Sequence, residues 1–372
     1  MKNTLKASAA IAAAALVLAA CGAAPDSASS ASQSASDQSG TTSTSKVKAC
    51  MVSDEGGFDD QSFNQSGKEG MEKAEKELGV EIKLAESTSD GDYQKNTDAM
   101  VQDGCTLIIG VGFKLATVLT DAAKANPDIE FALVDSTFSD ADGNAVTVDN
   151  GRPLIFNTAE AAFLAGYVSA GTTASGKVAT YGGMEIPTVQ IFMEGFAKGV
   201  DKYNADNGTS VQVLGWDDKT QKGSFVGDFS STSKGQTLTE GFISQGADII
   251  MPVAGPVGSG TLAAIKASPN ADSLKAVWVD SDGFLSTGDS HILTSVMKEI
   301  GAAVFDTVKS AQDGTFNSTP YIGTLANGGV GIAPFHDFDS QVPDKLKSKV
   351  TELTDQIKAG TLDVSTQYDP SK

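Results

Sequence analysis

Two stretches of the sequence, residues 108–136 and 249–281, spell out one order of parts twice. The first reads IIGVGFKLATVLTDAAKANPDIEFALVDS and the second IIMPVAGPVGSGTLAAIKASPNADSLKAVWVDS. Each runs from an apolar strand through a Gly-containing loop, a helix and a Pro/Asn break to a strand ending Val-Asp-Ser. The spacing is far too long for a solenoid, so the repeat marks a duplicated lobe. Around it, short β-branched runs alternate with amphipathic patterns. Strands are expected at KVKACMV, VEIKLAE, TLIIGVG, IEFALVDS and AVTVDN, then at KVATYGG, VQVLGW, ADIIMPV and KAVWVDS. Helices are expected near 66–79, 93–103, 115–126, 189–203, 235–245 and 260–267. This alternation predicts parallel sheets with helices on both faces. The body, residues 46–372, is too long for a typical single domain, and two similar α/β lobes are the economical outcome.

The start of the chain concerns destination, not fold. MKNTLKASAAIAAAALVLAACG has two Lys, an apolar run and small residues before Cys21, the pattern of a secretory signal peptide over residues 1–20. The run is too short for a membrane span. Leu18-Ala19-Ala20-Cys21 resembles the lipobox of bacterial lipoproteins, which implies lipidation at Cys21 and an extracytoplasmic, membrane-anchored protein. Residues up to 45 are Ser, Ala, Thr and Gln with almost no large apolar side chain, a composition expected to serve as a disordered tether. The net charge of −20 argues against nucleic acid, which demands clustered Lys and Arg. Cys50 and Cys105 are either a disulfide, as export permits, or two buried thiols. Scattered Cys and two His give no metal site, and the low His content predicts no sharp change in binding between pH 5 and 8.

Ligands of open α/β sheets bind beyond the carboxyl ends of the strands. Asp54, Asp135 and Asp280 fall at such ends, as do the turns at Gly110–Gly112 and Gly255–Gly258. Each Asp alone reads as a cap or turn residue; three at equivalent places in both lobes read as the lining of a cleft. Phe58 and Phe63, in the acidic loop DEGGFDDQSFNQSGKEG, are expected at its rim, where a ring can stack on a flat ligand. Enzyme signatures are poor. GTTASGKV has Val178 where a P-loop needs Ser or Thr, and its helix and strand come in the wrong order. GPVGSG has the wrong spacing for a dinucleotide fingerprint. His291 and His336 lack a nucleophile partner, and no nucleophile elbow occurs.

The motifs GGFDDQSFNQSGKEG, EAAFLAGYVSAG, GKVATYGG, FMEGFAKGV, GADIIMPVAGPVGSG, ILTSVMK and GGVGIAP together resemble the basic membrane protein family of substrate-binding lipoproteins, which has purine-nucleoside-binding members. The resemblance implies a type I periplasmic-binding-protein fold: two doubly wound parallel-sheet lobes joined by a three-segment hinge. The expected lobes are 46–157 with 285–315, and 158–284 with 316–372. It implies a monomer that captures a nucleoside and delivers it to the permease and ATPase subunits of an ABC importer, with no cofactor and no catalysis. Carried over, Phe63 stacks on the base, with Asn64 beside it. Asp54 and Asp135 contact the base side, Asp280 accepts from the ribose hydroxyls, and Lys298 and Gly255 complete that end. The chain departs from the family where a second aromatic is common: Ile250-Met251-Pro252 stands there. Met251, Phe113, Trp216 and Phe284 are the candidate substitutes. The same fold would also suit a sugar, an autoinducer or another polyol; a surface enzyme or a sensor is a more distant alternative.

Overall fold

Strands buried on both faces read as nearly continuous apolar runs, and the strands here do so because helices cover each sheet twice. The computed structural model describes residues 47–370, which fall in one compact unit. The expected signal peptide, Cys21 and tether lie outside the described residues. The first part of the chain runs β1 (Lys48–Val52), α1 (Phe63–Leu78), β2 (Glu81–Ala85), α2 (Asp90–Gln102), β3 (Leu107–Val111), α3 (Ala116–Ala125), β4 (Glu130–Val134) and β5 (Gly151–Phe156). The second runs α4 (Thr158–Thr172), β6 (Lys177–Gly182), α5 (Pro187–Asn207), β7 (Gln212–Leu214), the small ribbon β8 (Trp216–Asp217) and β9 (Lys222–Gly223), then α6 (Thr232–Ser244), β10 (Ile249–Val253), α7 (Gly258–Ala267) and β11 (Lys275–Asp280). It closes with α8 (Gly283–Thr287), β12 (Ile292–Lys298), α9 (Ile300–Gln312), β13 (Tyr321–Gly323), β14 (Val330–Ile332) and α10 (Asp344–Lys358).

The strands form two six-stranded sheets, ordered β2-β1-β3-β4-β5-β13 and β7-β6-β10-β11-β12-β14. All pairings within these two sheets are parallel except that of β14 with β12. This is the expected type I fold. Alternation along each strand divides the core. Ala49, Met51, Leu107 and Ile109 face Met71 and Ala74 of α1 and Val304 of α9. Cys50, Val52 and Ile108 face Tyr93 and Met100 of α2 and Leu119 of α3. In the second sheet α4 and α5 cover one face, and Ile250, Ala179 and Tyr181 look toward Phe242 of α6 on the other. Helix α4 is buried nearly all round, which explains the run of apolar and small residues that follows Glu160. It meets α5 at backbone distance: a Cβ on Gly166 would lie 2.0 Å from the Phe196 carbonyl, and one on Gly199 equally close to that of Phe163. Only glycine fits at such crossings.

Two expectations are corrected. AVTVDN forms no ladder strand; Ala145 makes only an isolated bridge with Ser139. The strand is the next segment, β5, in which Pro153 has no backbone N–H to give to the ladder. The lobe limits also move. ILTSVMK is β12 and pairs with β11 of the second sheet, whereas β13 beyond residue 315 pairs with β5 of the first. The chain therefore passes between the sheets after β5, after β12 and between β13 and β14. These crossings are tied together: Asn157 N–H donates to the Gly323 carbonyl at 2.8 Å, Glu299 N–H to that of Gly329 at 3.0 Å, and Leu325 N–H to Glu160 Oε2 at 2.6 Å.

Cys50 and Cys105 are joined, with Cα atoms 6.0 Å apart, so the open choice resolves to a disulfide. It ties the middle of β1 to the entry of β3 across the loop holding β2 and α2. Closing a loop of this length restricts the unfolded chain, and the Cys50→Ala/Cys105→Ala variant is expected to lose about 2–4 kcal/mol of unfolding free energy in urea titration. An unchanged midpoint would mean that the bridge adds nothing to the packing around it.

Candidate functional site

All the strand-end residues singled out above converge. Asp54 follows β1, Asp135 follows β4, Asp280 ends β11, Lys298 ends β12 and Gly255 follows β10. Together with Phe63 and Asn64 at the start of α1 they line one cleft between the two sheets. The duplicated Val-Asp-Ser ends are alike in detail. Asp135 has φ +60° and Asp280 φ +70°, a left-handed conformation that Asp tolerates better than most residues. The two carboxylates thus leave their strands in the same way, one from each lobe.

Lys298 lies between them. Its Nζ is 2.7 Å from Asp135 Oδ2, across the lobes, and 3.4 Å from Asp280 Oδ1. The resemblance paired this lysine with Asp280; the shorter bond is to Asp135. Burial works to strip Lys298 of its charge, but the two carboxylates outweigh it and hold its pKa above the ordinary lysine value. Burial pushes Asp135 up to about 6 even though Lys298 acts against it. The ammonium also sits 5.2 Å from the centre of the Phe63 ring and 5.0 Å from that of Phe192, within cation–π range.

Asp54 and Asn64 form a unit at the other end. Asn64 Nδ2 donates to Asp54 Oδ1 at 2.7 Å and to Asp60 Oδ2 at 3.1 Å, and Asn64 Oδ1 accepts from the Asp54 N–H at 3.2 Å. Both amide hydrogens of Asn64 are thereby used, so it orients two carboxylates and has no donor left for a ligand. Asp54 also accepts from Gly56 N–H at 3.0 Å, but burial dominates and pushes it up to about 6. Asp60 is likewise raised by burial. Asp54, Asp60, Asp135 and Asp280 against Lys298 give the cleft a surplus of acceptors.

The sequence reading missed several lining groups. Phe192 of α5 and Phe229, in the loop before α6, line the cleft from the second lobe, and Asp60 lines it from the first. Of the proposed aromatic substitutes, Phe113 lines the cleft, while Trp216 packs in the core and Phe284 stacks on His336 at 4.3 Å. Met251 points into the core beneath α4 and α5. Phe58, expected at the rim, is buried in the first lobe. Phe192 sits in a segment that reads simply as a helix, and Phe229 lies among Ser, Gly and Asp; neither carries a local signal. His291 and His336 each meet a carboxylate, Asp289 and Asp282, at 2.8 Å.

Two lobes built on parallel sheets, joined by three crossings and facing each other through a polar and aromatic cleft, define a substrate-binding protein of the periplasmic type. The family of ABC transporter substrate-binding proteins described as PnrA-like, or Bmp, matches residues 47–364, and the chain belongs to it. It is 32% identical over 336 residues to a Lactococcus lactis subsp. cremoris protein named ABC transporter nucleoside-binding protein BmpA, covering 85% of this chain and 90% of that one. It is 31% identical to a Listeria monocytogenes protein named CD4+ T-cell-stimulating antigen, covering 87% and 89%. Among solved structures, an ABC transporter solute-binding protein from Aeropyrum pernix superimposes with a TM-score of 0.76 at 24% identity, covering 87% of this chain and 95% of that one. That likeness supports the fold. No helix among the described residues is long and apolar enough to cross a membrane.

The expectation about pH concerns binding; stability has its own dependence, carried by Asp54 and Asp135, both pushed up to about 6 from an unfolded value near 3.9. The folded state holds these protons more tightly than the unfolded chain. Their favourable contribution is therefore full below about pH 4 and lost as pH rises through about 6. Urea midpoints measured between pH 4.5 and 8 should fall up to about pH 6.5 and then level, and Asp54→Asn should flatten the fall. A midpoint that rises across this window would contradict the assignment.

Proposed function

We propose that this chain is the lipid-anchored, extracytoplasmic binding protein of an ABC importer and that its cargo is a nucleoside, a purine nucleoside by preference. The observation that carries this reading is the combination in one cleft of rings from both lobes with four carboxylates and a single ammonium. A flat heterocycle gains from stacking on Phe63 and from the apolar surface of Phe192 and Phe229. Carboxylates accept from ring N–H groups and from sugar hydroxyls, and such charge-assisted bonds reject analogues that lack the donor. Asp280, with Lys298 beside it, is assigned to the diol; Asp54 and Asp135 are assigned to the base end. The surplus of carboxylates repels phosphate, so the reading is nucleoside and not nucleotide. The protein acts as a monomeric carrier that releases its cargo unchanged to the permease.

Calorimetric titration of the protein, unfolded and refolded to strip carried ligand, tests this with adenosine, guanosine, inosine, cytidine, uridine, adenine, ribose and inosine monophosphate. Tight binding of purine nucleosides, with weak binding of base, sugar and nucleotide, is expected. Asp280→Ala should weaken nucleoside binding by about 100-fold while the protein stays folded. Unchanged affinity in that variant removes the diol assignment, and silence across the nucleosides moves the cargo to the sugar and polyol class.

A further inference from the structure

A serine at the N-cap of a helix ordinarily turns its hydroxyl onto the free backbone N–H groups of the first turn. Ser62 stands at that position before α1, and its side chain makes no cap. The Asp60 carboxylate does so in its place, accepting from the N–H groups of Ser62, Asn64 and Gln65 at 3.0, 2.8 and 3.0 Å. The Ser62 hydroxyl is thereby released. It crosses to the second lobe, where it lies 2.9 Å from Asp280 Oδ2 and 3.1 Å from the Val279 carbonyl. Ser62 is fully buried there.

The residue between, Gln61, has φ +57°, a region that a side chain of this kind enters only at a cost. The strained turn aims the Gln61 carbonyl at the same stretch of the second lobe. Ser281 Oγ donates to it at 3.0 Å and Trp278 Nε1 at 3.4 Å. Two consecutive residues of one lobe, Gln61 and Ser62, thus dock onto residues 278–281 of the other, centred on an Asp that is itself in the left-handed region.

We propose that the Asp60-Gln61-Ser62 turn is an interlobe latch and that Ser62 is a positioning residue for the Asp280 carboxylate. By holding Oδ2 it leaves Oδ1 turned to Lys298, so the acceptor assigned to the ligand is ordered only when the lobes meet. The second part rests on the reading of Asp280 as a ligand acceptor; the latch itself does not. Release of cargo requires these bonds to break, and their loss acts on the rate of escape more than on the rate of capture.

The test uses Ser62→Ala, which removes the hydroxyl, and Ser62→Thr, which keeps it, in the purified protein. Inosine is the probe, and Trp emission, to which Trp278 in the latch contributes, is the readout. Ser62→Ala should release inosine about tenfold faster, the loss expected for one hydrogen bond to a charged acceptor, with association within about twofold of wild type. Ser62→Thr should restore slow release. Without ligand, Ser62→Ala should shift Trp emission to the red as Trp278 loosens. Wild-type release and emission in Ser62→Ala, or a Thr variant that behaves like Ala, overturns the proposal. If wild-type protein binds none of the nucleosides, the cargo reading falls by itself and ligand-free emission decides the latch: a red shift supports it and an unchanged spectrum refutes it. Ser281→Ala, which removes a Gln61 contact at a partly exposed site, gives the same red shift if the latch is real and none if it is not, and it decides the matter should Ser62→Ala fail to fold.

Discussion

The buried bridge from Lys298 to Asp135 and Asp280 sets the terms for the rest of the molecule. Removing charges from water is costly, and a buried pair holds only when geometry and further hydrogen bonds compensate. Here one ammonium serves two carboxylates that belong to opposite lobes. Attraction within the group therefore draws the lobes together, and the shortage of positive charge leaves acceptor oxygens unsatisfied inside the cleft. Burial answers part of that shortage by raising Asp135 and Asp54 toward protonation. In the proposed binding mode a neutral ligand rich in donors answers the remainder. A phosphate adds negative charge where the cleft already has too much.

The fold was legible because duplication and parallel-sheet topology both leave marks in one dimension. Fully buried strands are short apolar runs, and the residue after each run is at the ligand end of the sheet. That reasoning brought Asp54, Asp135, Gly255 and Asp280 to one place without any contact information, and the family resemblance added Lys298. It failed where a strand broke its own rules, as with Pro153 in β5, and where sheet membership depended on long-range pairing. β12 and β13 are seven and three residues long, and nothing in such segments says which of two similar sheets they join.

The site was legible at strand ends and opaque elsewhere. Phe192 reaches the cleft from the interior of a helix whose neighbours are equally apolar, so its sequence context is that of a core residue. Phe229 comes from a loop with no periodicity. Ser62 and Asp60 carry no signal of their own in the sequence; their exchange of roles appears only when the direction of each hydrogen bond is known. Asn64 lines the cleft with both amide hydrogens spent on Asp54 and Asp60, which its sequence context does not show.

The first turn of α1 concentrates these tasks in very few residues. Its N-terminus would otherwise present unpaired N–H groups and the positive end of a helix dipole, a ready anion site. Asp60 occupies that end, so the turn cannot recruit an anion and is held rigid instead. Phe63 then projects from a fixed base, Asn64 locks Asp54, and Ser62 is free to engage Asp280. Phe63, Asp54 and the contact to Asp280 are thus held on one piece. In the proposed binding mode, a ligand seated against Phe63 meets a turn already aligned with the opposite lobe, so closure follows from rigid geometry without separate rearrangement of each contact.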